Sequence, residues 1–249
     1  MRNLVICELL KLRRSKMLLI CILGAFVAPI LMFVNGVRTH YAHPDAVVKL
    51  ADFFNSSMLY SMLMFSLIVF AVIGAFLFSR EYSENTLKTI ITIPVAKSKF
   101  IISKFVMLLI VTVTLTLISW TAICALAALY HALFGLAEFT AGVAARYLGR
   151  MILGGALMFL TLTPFAFLSV WTKGLVVPII SAAAVALGNV MLSGQSWGAF
   201  FPWTASYLLA SGEITKTGYS GLLSASLIAV VAVLGFFACT TYFKREDIR

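Results

Sequence analysis

Glu84 and Lys88 stand four residues apart in the stretch 79–104, SREYSENTLKTIITIPVAKSKFIISK. Glu placed N-terminal to Lys at this spacing forms a favourable pair on a helix surface. Projected at 100° per residue from Glu81, the residues Glu84, Asn85, Lys88 and Thr92 share one arc, while Leu87, Ile90 and Ile91 share the opposite one. The pattern predicts a three-turn amphipathic helix over 81–92, stopped by Pro94 and followed by Lys97 and Lys99. Such a helix lies along a membrane face with its charged side in water. Other groupings offer less chemistry. His40 and His43 are three apart, yet Pro44 and polar neighbours read as a solvated loop rather than a metal site, and His131 stands alone. H-E-x-x-H does not occur, and no Gly precedes a Lys, so there is no phosphate loop of the G-x-x-x-x-G-K-[ST] type. The sequence therefore predicts no catalytic residue and no metal ligand.

The elements that must position this stretch are set by hydropathy. Of 249 residues, 62% are apolar and 11% charged, with a mean hydropathy of +1.04. A soluble fold of this length has too little interior for that much apolar surface. Six runs are long enough to span a bilayer: 17–34, 58–78, 101–126, 151–171, 175–192 and 222–242. The expected fold is an all-α polytopic membrane protein, one transmembrane domain over 1–249. The first run is read as an uncleaved helix, since no A-x-A site follows it. Residues 1–16 form a further interfacial helix, with Val5, Leu9 and Leu12 along one side and Arg13 interrupting the apolar arc.

The net charge of +10 is explained by topology, not nucleic acid. With the N-terminus inside, fourteen of the nineteen Lys and Arg fall in inner segments, so both termini are expected in the cytoplasm. Trp171 and Tyr242 then sit at inner helix ends, and Trp120 packs in mid-span. The four cysteines read as small buried apolar residues.

None of the six runs contains Asp, Glu or Arg, and Lys104 is their sole Lys. An ion relay needs ionisable groups at depth, and an intramembrane enzyme needs paired carboxylates or a metal cluster. Neither is seen, nor is an internal repeat, which disfavours an ion-coupled carrier. Thr112, Thr114, Thr116, Ser119, Thr121, Thr161, Thr163, Ser181 and Asn189 read first as interhelical or back-bonding groups. Gly154, Gly155 and Pro164 read as close packing and a kink. The outer segment 193–220 is aromatic and broken by Gly194, Gly198 and Pro202, which suits a re-entrant or interfacial hairpin with Trp197 and Trp203 near the headgroups.

Arg80-Glu81-Tyr82, Glu84-Asn85-Thr86-Leu87-Lys88, Thr92-Ile93-Pro94-Val95, Lys97 and Lys99-Phe100 up to Lys104 resemble the coupling segment of ABC-2-type (type V exporter-like) transporter permeases. The small permeases of bacitracin and lantibiotic resistance (immunity) systems are the most similar. The resemblance covers the whole chain in architecture: an interfacial helix, six transmembrane helices, and a cytoplasmic coupling helix between spans 2 and 3 (79–100). It implies a subunit of the bacterial cell membrane driven by two copies of a cytosolic ATPase that carry ATP and Mg, paired with a second permease copy or a similar permease. Carried over by position, Glu81, Tyr82, Glu84, Thr86, Leu87, Lys88 and Pro94 would contact the ATPase. The region above the path would be lined by Phe200, Phe201 and Trp203, with Thr112, Thr116 and Asn189 below. The implied cargo is a membrane-active peptide antibiotic; another amphiphile, a lipid or a polysaccharide stays open, as does sensing in place of export.

Overall fold

The computed structural model describes residues 2–43, 48–84 and 96–245. Among these residues the secondary structure is helical, apart from one isolated bridge between Lys49 and Ala137. Helix α1 (Arg2–Arg13) precedes α2 (Lys16–Ala42). Then α3 (Leu50–Tyr60), a π-helical turn at Ser61–Phe65 and α4 (Ser66–Ser83) form one rod. Next come α5 (Lys97–Phe134), α6 (Ala141–Thr161), α7 (Thr163–Thr172) and α8 (Val176–Leu192). The short α9 (Pro202–Ser211) and the long α10 (Gly221–Arg245) complete the order.

Among the described residues, five stretches are long and apolar enough to cross a membrane: α2, α3 through α4, α5, α6 through α7, and α10. The run expected at 175–192 is α8, with 17 residues, about 25 Å of helix against a hydrocarbon core of about 30 Å. The spans are longer than hydropathy predicts. Of the outer loop expected over 36–57, residues 36–42 belong to α2, which runs on to Ala42, and 50–57 to α3, which begins at Leu50. Polar residues end an apolar window without ending a helix when their side chains find water or a partner. His40, expected in that loop, lies on α2 with its ring 4.5 Å from that of Phe134.

The core lies where α4 and α5 cross. Phe78 meets Phe105 with centroids 4.8 Å apart, and Ile73, Leu77 and Leu108 are fully enclosed. The fourth span breaks at Leu162, and Pro164, which has no N–H to donate, sits in the first turn of α7. Helix α10 crosses this break at Gly235, where a Cβ would lie 2.7 Å from the Thr163 carbonyl carbon and 2.8 Å from the Pro164 nitrogen. Only glycine allows that approach. The membrane hydroxyls behave as expected of back-bonding groups: Thr112 donates to Leu109 O, Thr116 to Thr112 O and Ser181 to Val177 O. Trp120 donates its indole N–H to Ala144 O, in keeping with a packing role.

Candidate coupling site

Lys104 enters the bundle about two turns after α5 begins, on a face turned toward α4 and α1. Its ammonium has three protons. One goes to Glu81 Oε2 at 2.6 Å and one to the Leu77 carbonyl, while Glu8 Oε2 stands 3.6 Å away. The Phe100 ring lies beside it, 4.9 Å from nitrogen to centroid. On the other side of the carboxylates, Lys11 Nζ lies 3.2 Å from Glu8 Oε1 and 3.3 Å from Glu81 Oε1. Two acids and two bases thus form a neutral square whose corners come from α1, α4 and α5. Lys104, Glu81 and Glu8 are only 1%, 2% and 4% exposed, and Lys11 is the corner open to water. Burial alone would lower the pKa of Lys11, but Glu8 and Glu81 outweigh it and the net displacement is upward.

This square lies at the mouth of segment 85–95, with Glu81 shortly before it and Lys104 shortly after. Glu81 does not open a separate amphipathic helix, as projection on an ideal wheel suggested. It belongs to the last turns of α4, because its partners on α1 and α5, remote in sequence, hold it inward. Glu84 closes α4 and accepts from Arg80 Nε at 2.8 Å; its expected partner Lys88 lies outside the described residues. Arg80 also lies over Phe76, and its Nη1 finds no acceptor among the described residues. Tyr82 receives the Lys173 ammonium over its ring at 5.6 Å. This brings the loop between α7 and α8 to the same end. Lys97 adds the end of α10 by donating to Lys244 O. Thr86, Leu87, Lys88 and Pro94 lie outside the described residues.

At the opposite end, the segment 193–220 folds back into the bundle. Ser196–Phe200 is a 3-10 turn, and α9 buries Thr204 through Leu208 beside α6 and α10. Trp203 is half-buried, and its indole N–H donates to Thr161 O at the break of the fourth span. Phe201 packs on Trp203, centroids 5.1 Å apart, while Phe200 stays 40% exposed against Trp197 and Tyr219. Asn189 is fully enclosed, its amide nitrogen donating to Leu63 O and its oxygen accepting from Thr204. Thr112 and Thr116 are buried on α5. Residues 194–198 read GQSWG, a match to G-x-S-x-G. The strand–turn–helix that gives that pattern its chemistry is not what surrounds it: Ser196 begins a 3-10 turn between two helices.

A family model described as ABC-2 family transporter protein matches residues 4–189. This chain belongs to the ABC-2 transporter family. It is also similar to the bacitracin transport permease protein BCRB of Bacillus licheniformis, 34% identical over 210 residues that make up 83% of this chain and 97% of the relative. The permease is a membrane protein, and its charge square joins α1 to the two spans that bracket the resembling segment.

Glu8 and Lys11 are the site residues that reading along the sequence did not find. A signal was present. Glu8 is the sole acid among the first sixteen residues, and a lysine inside an apolar run needs a carboxylate nearby. What the sequence does not give is the fold of α1 against α5, which brings the two together.

Proposed function

We propose that the permease is the transmembrane subunit of an ATP-driven exporter that protects a bacterium against bacitracin or a related membrane-active peptide. The observation that carries this reading is the likeness to BCRB along nearly its whole length. Both termini lie in the cytoplasm, as the distribution of basic residues favours. Segment 79–100 then faces a separate ATPase, present in two copies with ATP and Mg, and a second permease completes the membrane part. Closure of the ATPases moves Glu84, Thr86, Leu87, Lys88 and Pro94. The square of Glu8, Lys11, Glu81 and Lys104 passes that movement to α1, α4 and α5 as one body, since none of its buried charges can be parted from the others cheaply. Alternating access opens the path outward beneath Phe200 and Phe201.

The test has two parts. Mass spectrometry of what co-purifies with the tagged permease from its own host in mild detergent is expected to find a stoichiometric ATP-binding subunit. Co-expression of both in a bacitracin-sensitive host should raise the inhibitory concentration, and Glu84→Ala or Lys88→Ala should cancel the rise while the permease stays in the membrane. A permease that emerges alone, even after cross-linking at the 79–104 loop, would overturn the reading.

A further inference from the structure

The π turn at Ser61–Phe65 divides the second span into an outer rod, α3, and an inner rod, α4. Ser66 N–H reaches back five residues to Ser61 O. The hydroxyls of Ser61 and Ser66 also meet, at 2.7 Å. In an α-helix, residues five apart lie about 140° round the axis and their side chains cannot touch. The hydroxyl pair therefore exists only while the turn is wide. π turns inside α-helices are rare and cluster at functional positions.

Three other elements are shaped to this turn. Helix α6 presents Gly154 and Gly155, where a Cβ would lie 2.5 Å from Met62 Cε and 2.7 Å from Thr116 Oγ1 respectively. A small internal cavity remains between them, lined by Ser61, Ser66, Thr116 and Ser119 among others. From α8, the enclosed Asn189 donates to the Leu63 carbonyl, inside the wide turn, at 3.2 Å. From α9, Thr204 donates to Asn189 Oδ1 at 3.0 Å. A backbone carbonyl at this depth has no water to satisfy it, so the amide that caps it is tied to the turn's geometry.

We infer that Asn189 is a positioning residue that latches the second span in its π register, joining the outer segment at Thr204 to the inner rod that carries Glu81. Return of the turn to α geometry turns the inner rod by about 100° relative to the outer one. The latch decides whether that happens. Movement of α9 and movement of the charge square are then two ends of one joint.

The proposal is read from helix geometry in lipid nanodiscs and needs neither cargo nor ATPase, so its failure is separate from failure of the exporter reading. In a cysteine-free background, spin labels at Ser83→Cys and Phe237→Cys report the inner rod against α10, and labels at Tyr60→Cys and Leu222→Cys report the outer rod. Asn189→Leu should move the first distance, or add a second population, by on the order of 5 Å, the displacement of a side chain carried round a helix surface. The second distance should hold. Thr204→Val keeps the Asn189 amide but removes its anchor, and should move the first distance the same way by less. Deletion of Met64 converts the turn to α-helix with both rods in register, and Asn189→Leu should add no further movement in that background. Should Asn189→Leu fail to insert, Thr204→Val decides. Unchanged inner distances, or movement that persists equally after the deletion, would overturn the latch.

Discussion

Glu81 and Lys104 lie on either side of the segment 85–95, and their charged atoms are 2.6 Å apart in a setting that leaves neither more than 2% exposed. A pair so enclosed fixes the spacing of α4 and α5 at the point where the chain leaves and re-enters the bundle. Removing one partner strands the other's charge, whereas removing both does not.

Glu81→Ala is expected to destabilise the permease by about 3–5 kcal/mol, the cost of breaking a buried pair from one side. The double variant Glu81→Leu with Lys104→Met should recover much of that stability. Thermal unfolding in detergent, followed by size-exclusion fluorescence, measures both. Equal losses in single and double variants would show that the pair does not act as a unit. Glu8→Gln, which leaves Lys104 bonded to Glu81, should lose less than Glu81→Ala.

Gly235→Ala should fail to pack, because its Cβ meets the backbone of Thr163 and Pro164, which cannot swing aside as a side chain could. Gly142→Ala and Gly149→Ala on α6 meet nothing within 4 Å. These two should be neutral or stabilising by roughly 0.5–1 kcal/mol, since Ala holds a helix better than Gly. Membrane yield and melting temperature of the three variants check the contrast. A tolerated Gly235→Ala would mean that α10 does not cross the break this closely.

Trp203→Phe keeps the ring stack on Phe201 and removes the indole donor to Thr161 O. That carbonyl is then left without its side-chain partner, at an expected cost of about 1–3 kcal/mol. Melting temperature provides the measurement, and a loss near zero would mean that another donor takes over.

Acid should loosen segment 193–220. Glu213 is held below the ordinary carboxylate range, chiefly by the hydrogen bond from Lys216; burial opposes this, and the Tyr207 hydroxyl adds to it. Tyr207 is pushed upward, by burial first and then by Glu213. A carboxylate with a lowered folded pKa contributes its full stability above its unfolded value, near 4.3, and loses it as pH falls through the folded value. Melting temperature should therefore drop more steeply below about pH 4.3 in the parent than in Glu213→Gln. Parallel curves would show that this carboxylate is not linked to stability.

Composition and periodicity by themselves determined that this chain is helical and crosses a membrane, and where apolar runs begin. Those are local properties: 20 apolar residues have few other places to go. The family was legible in residues 79–104, because the charges, the Thr-Leu pair and Pro94 that resemble its members stand together in one short stretch. What tertiary structure alone decided lies between segments distant in sequence. Glu8 and Lys104 are 96 positions apart; Lys104 read only as the sole lysine of the apolar runs and Glu8 was passed over, until α1 packed on α5. Asn189 read as one more mild polar group. Its meaning comes from Leu63 and Thr204, which only the folded chain places on either side of its amide. The π turn itself was invisible, since SMLMF differs in no residue type from the helices around it, and its extra residue is held by contacts from α6 and α8. In a membrane, polar groups must find partners inside the protein. Sequence tells how many need one, and packing tells which they get.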